Sequence, residues 1–217
     1  MLRLYSYFRS SAVFRVRIAL NLKGLDYEVV PVHLLRDGGQ QHAADFARIN
    51  PAQLIPVLED DSDIVTQSIA IIEYLEEQYP MPPLLPKKPI ERSKVRALAL
   101  DIACDIHPLN NLRVANYLVD PLGLDAPKRT AWMQHWIMVG FAAIERRLQS
   151  TASASGYCYG ESPTFADCCL IPQTFNALRL KCAVESFPTI LRIYENCMKL
   201  PAFKKAAPDA QPDAEVS

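Results

Sequence analysis

The hydrophobic positions follow different periods in the two parts of the chain. Over the first 80 residues, stretches that alternate apolar and polar side chains are interleaved with stretches that repeat every three to four residues. Alternation sends successive side chains to opposite faces of a strand, whereas the longer repeat paints one side of a helix. Leu2–Ser6 alternates and predicts a first strand. Ser10 and Ser11 then cap a helix running through Arg15 to Lys23, with Gly24 as its stop. Its apolar residues fall on two sides, Val13, Val16 and Leu20 on one and Phe14, Ile18 and Leu22 on the other. Such a wide stripe predicts burial on both sides, as between a sheet and another domain. Tyr27–Val32 predicts a second strand, placed at an edge by Pro31, which has no N–H to give to a ladder. A short helix over Ala43–Arg48, closed by Asn50-Pro51, follows a polar loop at Asp37–Gln41. Pro56–Glu59 and Asp63–Thr66 predict a hairpin turning at Asp60–Ser62. Gln67-Ser68 opens a helix that ends before Pro80, with Ile69, Ile72 and Leu75, or Ala70, Ile71 and Tyr74, inward.

Beyond residue 80 the alternation disappears. The proline-rich stretch Met81–Pro89 reads as a semi-rigid linker. Helical repeats run from about Ile90 to Val119, Pro127 to Gln149, Thr164 to Leu180 and Pro188 to Lys199, and Thr151–Gly156 reads as a loop. The tail from about residue 208 is polar and is expected to be disordered. The pattern therefore predicts an α/β domain over 1–80, a linker over 81–89 and an all-helical domain over 90–217.

Composition narrows the function classes. The 217 residues are 50% hydrophobic and 22% charged, enough apolar material for a core without disulfide support. A net charge of −1 gives no global reason to expect nucleic acid or an acidic membrane as partner. No apolar run approaches the roughly 20 residues that cross a bilayer. Met1–Arg9 begins as strand-like sequence and lacks the features of a signal peptide. Cys168 and Cys169 are adjacent, and Cys104, Cys158, Cys182 and Cys197 are irregularly spaced, with no C-x-x-C. Reduced thiols in the cytoplasm are the expectation. The four histidines, 33, 42, 107 and 135, do not pair with cysteines at ligand spacing, so no metal site is expected.

The ordered set of motifs resembles one known family. Tyr5-Ser6-Tyr7-Phe8-Arg9-Ser10-Ser11, followed by Arg15-Val16-Arg17-Ile18-Ala19-Leu20, is similar to the N-terminal signature of zeta-class glutathione transferases, which include the maleylacetoacetate isomerases. The similarity continues through Asp37–Gln41, Asn50-Pro51, Ile55-Pro56 and Gln67–Glu77. It returns at Asp105–Leu112, Thr164–Asp167 and Pro172-Gln173, and spans Leu2 to Pro212. The resemblance implies the glutathione-transferase fold: an N-terminal thioredoxin-like domain that binds glutathione, then a helical domain that shapes the acceptor pocket, in a homodimer.

Particular residues follow from it. Ser10 and Ser11 stand where a strand gives way to a helix, where free N–H groups and the helix dipole favour an anion. A plain N-cap is one reading of the pair; the resemblance implies that Ser10 stabilises a bound thiolate. Disulfide oxidoreductases of thioredoxin-like fold carry C-x-x-C at this point. Here Ser10–Val13 offers no thiol, so the reactive sulfur must arrive with a ligand. The family often has a cysteine after the serine pair, and this chain has Ala12. Ile55-Pro56 is expected to be cis, with the Ile55 backbone pairing with the cysteinyl part of glutathione. Gln67 and Ser68 would hold the γ-glutamyl carboxylate, Gln41 the glycyl end. The implied substrate is a small dicarboxylate keto acid, faced by Arg9 and Arg179, whose planar forks suit carboxylates. His107 and Asn111, four apart, are expected to share a helix face over the glutathione site. Thr164–Asp167 reads as a structural capping box. Arg15 and Arg17 are assigned to structure, being two apart and unable to form one basic face.

The implied activity is glutathione-dependent conversion of maleylacetoacetate to fumarylacetoacetate. Maleylpyruvate isomerisation and zeta-type conjugation or dehalogenation are alternatives. A non-catalytic binding module of the same fold is a further alternative from a different class.

Overall fold

The computed structural model describes residues 1–151 and 156–215. They divide into two compact units, Met1–Leu84 together with the chain from Lys199 onward, and Leu85–Met198. The first unit contains β1 (Leu2–Ser6), α1 (Ser11–Leu22), β2 (Tyr27–Pro31), α2 (Ala44–Ile49), β3 (Val57–Asp60), β4 (Asp63–Thr66) and α3 (Ser68–Gln78). The second contains α4 (Pro89–Leu100), α5 (Leu112–Val119), α6 (Ala126–Thr151), α7 (Phe165–Arg179) and α8 (Pro188–Cys197). The chain then rejoins the first unit with α9 (Pro201–Ala206).

The first unit is built on one sheet of order β2-β1-β3-β4, β1 running parallel to β2 and antiparallel to β3. Strand β2 lies at the edge and ends on Pro31, where a missing N–H costs no ladder bond. Leu4 pairs with Leu58 in register, and both are fully buried. On the alternate face Tyr5 and Val57 pack with Val32 and with Phe46 of α2. Helix α1 is buried without interruption from Ala12 to Leu20. Its broad stripe meets α3 and α9, so one of the surfaces predicted for it comes from the end of the chain.

The described part of the tail expected to be disordered, residues 208–215, is held in place; 216–217 lie outside the described residues. Gln211 Nε2 donates to the carbonyls of Lys205 (2.8 Å) and Ala207 (2.9 Å), closing the end of α9. Asp213 accepts from Phe8 N–H, and Glu215 accepts from His33 and Arg36. Low hydrophobicity misleads here because these contacts are polar, and burial of apolar surface is not what fixes them.

The start of the proline-rich segment is also fixed. Lys23 Nζ, fully buried, donates to Glu76 Oε2 (2.8 Å) and to the carbonyls of Tyr79 (2.7 Å) and Pro82 (3.1 Å). The same Glu76 oxygen accepts from Leu84 N–H at 2.9 Å. A buried ammonium held by one carboxylate and two carbonyls leaves few alternative paths for residues 79–84.

In the second unit, α6 buries Ile137, Phe141, Ile144 and Leu148 at helical spacing. Glu145, on the same helix, caps α8 by accepting from Thr189 N–H and Ile190 N–H. Thr164 and Asp167 form the expected capping box around the start of α7, which is buried through its first ten residues. The single helix expected from Ile90 to Val119 is broken. After α4 the chain widens into a π-helical turn over Asp101–Ile106, tightens into a 3-10 turn over His107–Asn110, and restarts at α5. Pro108 supplies the reason, since it lacks the N–H the helix needs and its ring crowds the preceding turn. Asn111 N-caps the new helix by accepting from Val114 N–H at 3.0 Å. Among the described residues no helix is long and apolar enough to cross a membrane, and no group of three or more His, Cys, Asp or Glu could hold a metal ion.

Replacing Lys23 with Met is expected to cost about 3–5 kcal/mol of unfolding free energy in urea titration, because the buried Glu76 carboxylate loses the ammonium it is paired with. A loss under about 1 kcal/mol would show that the pair does not fix this segment.

Candidate active site

Tyr7–Ser10 is a tight turn between β1 and α1, closed by Ser10 N–H donating to the Tyr7 carbonyl at 3.0 Å. Ser10 then acts as the N-cap of α1 in extended conformation (φ −68°, ψ 115°). Its Oγ accepts from Val13 N–H at 3.3 Å. That bond uses an oxygen lone pair, so the hydroxyl hydrogen is left to donate elsewhere. Capping and stabilising a bound anion are thus compatible roles for one side chain. Ser11, half-buried, is the first helical residue. Arg9 is exposed and lays its guanidinium over the Phe8 ring, 5.0 Å from the centroid.

The N-terminus of α3 is a second anion-favouring end. Gln67 precedes it at φ 70°, a left-handed conformation uncommon for a side chain other than glycine, and α3 has no side-chain cap. Ser68 is buried, and its Oγ accepts from Arg15 Nη1 at 3.2 Å. The guanidinium of Arg15 is itself buried, so a positive charge lies behind the uncapped end of α3. Arg15, assigned from sequence to structure, is the residue that couples α1 to Ser68.

A third group surrounds the loop before β3. Gln41 is buried; its Nε2 lies 3.0 Å from His42 Nε2, while its Oε1 has no hydrogen-bond partner among the described residues. His42 Nδ1 meets Gln53 Oε1 at 2.6 Å. Asn50 holds the same loop by donating to the Leu54 carbonyl (2.7 Å) and accepting from Ala52 N–H. The Ile55-Pro56 peptide is cis. Side-chain contacts thus link Gln41, His42 and Gln53, and Gln53 N–H donates to the carbonyl of Asn50 (2.9 Å), whose side chain holds Leu54, the residue before Ile55.

In the second unit, His107 and Asn111 do not share a helix face. His107 lies in the 3-10 turn, and Asn111 caps the helix that follows. Arg179 ends α7 and donates to Asn176 Oδ1 at 2.8 Å. Asn176 donates in turn to Asn110 Oδ1 (3.2 Å), and Asn110 donates to the Ile106 carbonyl (2.7 Å). Asn110 and Asn176, both buried, tie Arg179 to the His107–Asn111 turn; the sequence carries no spacing signal for that pair. All six cysteines are free thiols, Cys104 exposed and the rest buried. Burial pushes Cys158, Cys182 and Cys197 above the ordinary thiol range, the opposite of what a nucleophile requires.

Ser10→Ala is expected to cost about 1 kcal/mol of stability, since Val13 N–H loses its acceptor; chemical denaturation measures it.

Comparison with known proteins places these features in a family. Residues 4–83 match the glutathione S-transferase N-terminal domain. A probable maleylacetoacetate isomerase of Vibrio cholerae is 51% identical, covering 97% of this chain and 97% of its own. A maleylpyruvate isomerase of Ralstonia sp. is 45% identical, covering 98% of this chain and 100% of its own. The crystal structure of a maleylacetoacetate isomerase from Methylobacterium extorquens AM1, solved with bound malonate and GSH, superposes with a TM-score of 0.93 at 40% identity, covering 99% of this chain and all of that one. Identity of this order over the full length leaves one conclusion: the chain belongs to the zeta-class glutathione transferases, the family of the maleylacetoacetate isomerases.

Proposed function

We propose that this chain is a glutathione-dependent isomerase that turns maleylacetoacetate into fumarylacetoacetate, acting as a homodimer in the cytoplasm. The observation that carries the reading is Ser10, whose oxygen is occupied by Val13 N–H and whose hydroxyl hydrogen is left to donate, at a position without a protein thiol. The residues fit glutathione. The uncapped first turn of α3 suits its γ-glutamyl carboxylate, and the unpartnered Gln41 Oε1 suits a donor at its glycyl end.

When bound, glutathione supplies a thiolate that adds reversibly to the cis double bond, which turns while single and reforms trans. Ser10 donates to the sulfur and lowers its pKa, with Ser11 beside it at the positive end of α1. Gln67 and Ser68 fix the γ-glutamyl end, the Ile55 backbone the cysteinyl part, and Gln41 the glycyl end. Arg9 and Arg179 hold the substrate carboxylates and damp the negative charge that develops on the keto oxygen. His107 and Asn111 complete the set we assign to glutathione. Arg179 is held for its task by the Asn176–Asn110 pair.

Maleylpyruvate isomerisation is the second reading, favoured by the 45% identity to the Ralstonia enzyme over its whole length. It uses the same residues on a shorter acid.

Conversion of maleylacetone or maleylacetoacetate, followed by absorbance with and without glutathione, is expected to require glutathione and to consume none. Absence of turnover with retention on glutathione resin would move the assignment to maleylpyruvate or to conjugation; absence of retention would leave a non-catalytic module. Ser10→Ala is expected to lower kcat on the order of 10–100-fold, the worth of one hydrogen bond to a charged group. Gln41→Leu should leave stability nearly unchanged, because one of its buried polar atoms is unpartnered, while raising KM for glutathione about three- to tenfold.

A further inference from the structure

We infer that Asp213, in the C-terminal segment, is a positioning residue for Ser10, acting through the Tyr7–Ser10 turn. The inference rests on the reading of Ser10 given above. Three hydrogen bonds hold the Tyr7 and Phe8 backbone of the turn. Tyr7 carbonyl accepts from Ser10 N–H within the turn (3.0 Å). Phe8 carbonyl accepts from Arg17 Nη2 (3.0 Å), and Phe8 N–H donates to Asp213 Oδ2 (2.9 Å). One side of the turn is therefore held by α1 and the other by residues some 200 positions later in the chain.

The segment that brings Asp213 there is built to hold it. Arg17 Nε donates to the Ala206 carbonyl at 2.9 Å, and Gln211 closes α9 through the Lys205 and Ala207 carbonyls. Ala214 N–H donates to the Gln211 carbonyl at 3.0 Å. Beyond Asp213, Glu215 accepts from His33 Nε2 at 3.1 Å and from Arg36 at 2.6 Å. His33 Nδ1 accepts from Leu35 N–H and Arg36 N–H, which leaves the proton on Nε2 to face Glu215. Two acids two residues apart thus grip the turn before α1 and the loop after β2.

The carboxylate also meets an electrostatic need. Arg17 is fully buried, and burial lowers its pKa to about 10. The field of Tyr27 and, to a smaller extent, that of the Asp213 carboxylate act against this lowering. Asp213 Oδ1 and Tyr7 Oη are each buried without a hydrogen-bond partner among the described residues. Removing Asp213 would leave Phe8 N–H unpaired and Arg17 without that counter-charge. The turn could then relax, and with it the direction in which Ser10 points its hydroxyl.

The test is the pKa of the glutathione thiol bound to the enzyme, read from thiolate absorbance against pH, together with kcat and KM. Thermal melting shows that each variant is folded. In the parent enzyme a bound thiol titrating below its free value is expected; if it does not, the reading of Ser10 fails, independently of Asp213. Given that depression, Asp213→Ala is expected to raise the bound-thiol pKa by about half to one unit, which is roughly three- to tenfold in thiolate stabilisation. It should lower kcat near neutral pH correspondingly, with KM for glutathione changed less than about twofold, since α3 and Gln41 carry the binding. Asp213→Asn keeps an acceptor for Phe8 N–H and is expected to recover most of the effect. Should Asp213→Ala not fold, Asp213→Ser, too short to reach Phe8 N–H, carries the same expectation. An unchanged bound-thiol pKa in a folded Ala or Ser variant overturns the inference. An Asn variant as impaired as Ala overturns the hydrogen-bond account.

Discussion

The front of the first unit depends on one buried guanidinium. Arg17 is withdrawn from water, and its hydrogen-bond partners are a serine hydroxyl and two main-chain carbonyls, Ser6 Oγ, Phe8 O and Ala206 O. Stripping an arginine of solvent costs several kcal/mol, so those oxygens must be in place for α1 to pack as it does. They come from the end of β1, from the turn that follows and from the last residue of α9. A single side chain thereby ties the beginning and the end of the chain to the helix whose N-terminus carries Ser10. Lys23 performs the matching task at the other end of α1, where Glu76 and two carbonyls gather round its ammonium.

That arrangement explains how the fold supports chemistry with no nucleophile of its own. Thiols in this chain are mostly buried, and burial disfavours the thiolate. Helix N-termini do the reverse, because their dipoles and open N–H groups favour negative charge. Two such ends in the first unit are those of α1 and α3. One is capped by a hydroxyl with a hydrogen to spare, and the other is backed by the buried charge of Arg15. A borrowed thiol and a carboxylate on one ligand have the chemistry that these two ends favour.

Much of this was legible in the sequence. Alternation and helical spacing gave the element order of the first unit, Pro31 gave the edge strand, and the serine pair gave the start of α1. The Ile55-Pro56 bond is cis and Gln67-Ser68 opens α3, as expected of those motifs. What escaped was polar and long-range. Arg15 and Arg17 are assigned to structure by their spacing, yet no local pattern announces which hydroxyls and carbonyls satisfy a buried guanidinium. Asn110 and Asn176 lie 66 residues apart and meet only once α7 is folded against the break at Pro108. The tail reads as disordered because composition measures apolar burial, whereas Gln211, Asp213 and Glu215 are fixed by hydrogen bonds to specific partners.

The same contrast separates what the core does from what the site requires. Leu4, Leu58, Ile71 and Leu75 could exchange for other apolar side chains of similar volume with modest loss, since dispersion and burial are tolerant of identity. A guanidinium that must reach three oxygens has no such freedom, and neither does a carboxylate that must reach one amide. Polar interior contacts of this kind add little net stability compared with an apolar core, yet they admit few geometries. In this chain they lie around the Tyr7–Ser10 turn, the uncapped end of α3 and the Asn110–Asn176 pair. The hydrophobic pattern therefore determines that a sheet and its helices form, and the buried polar residues determine where the turn between β1 and α1 places its hydroxyl.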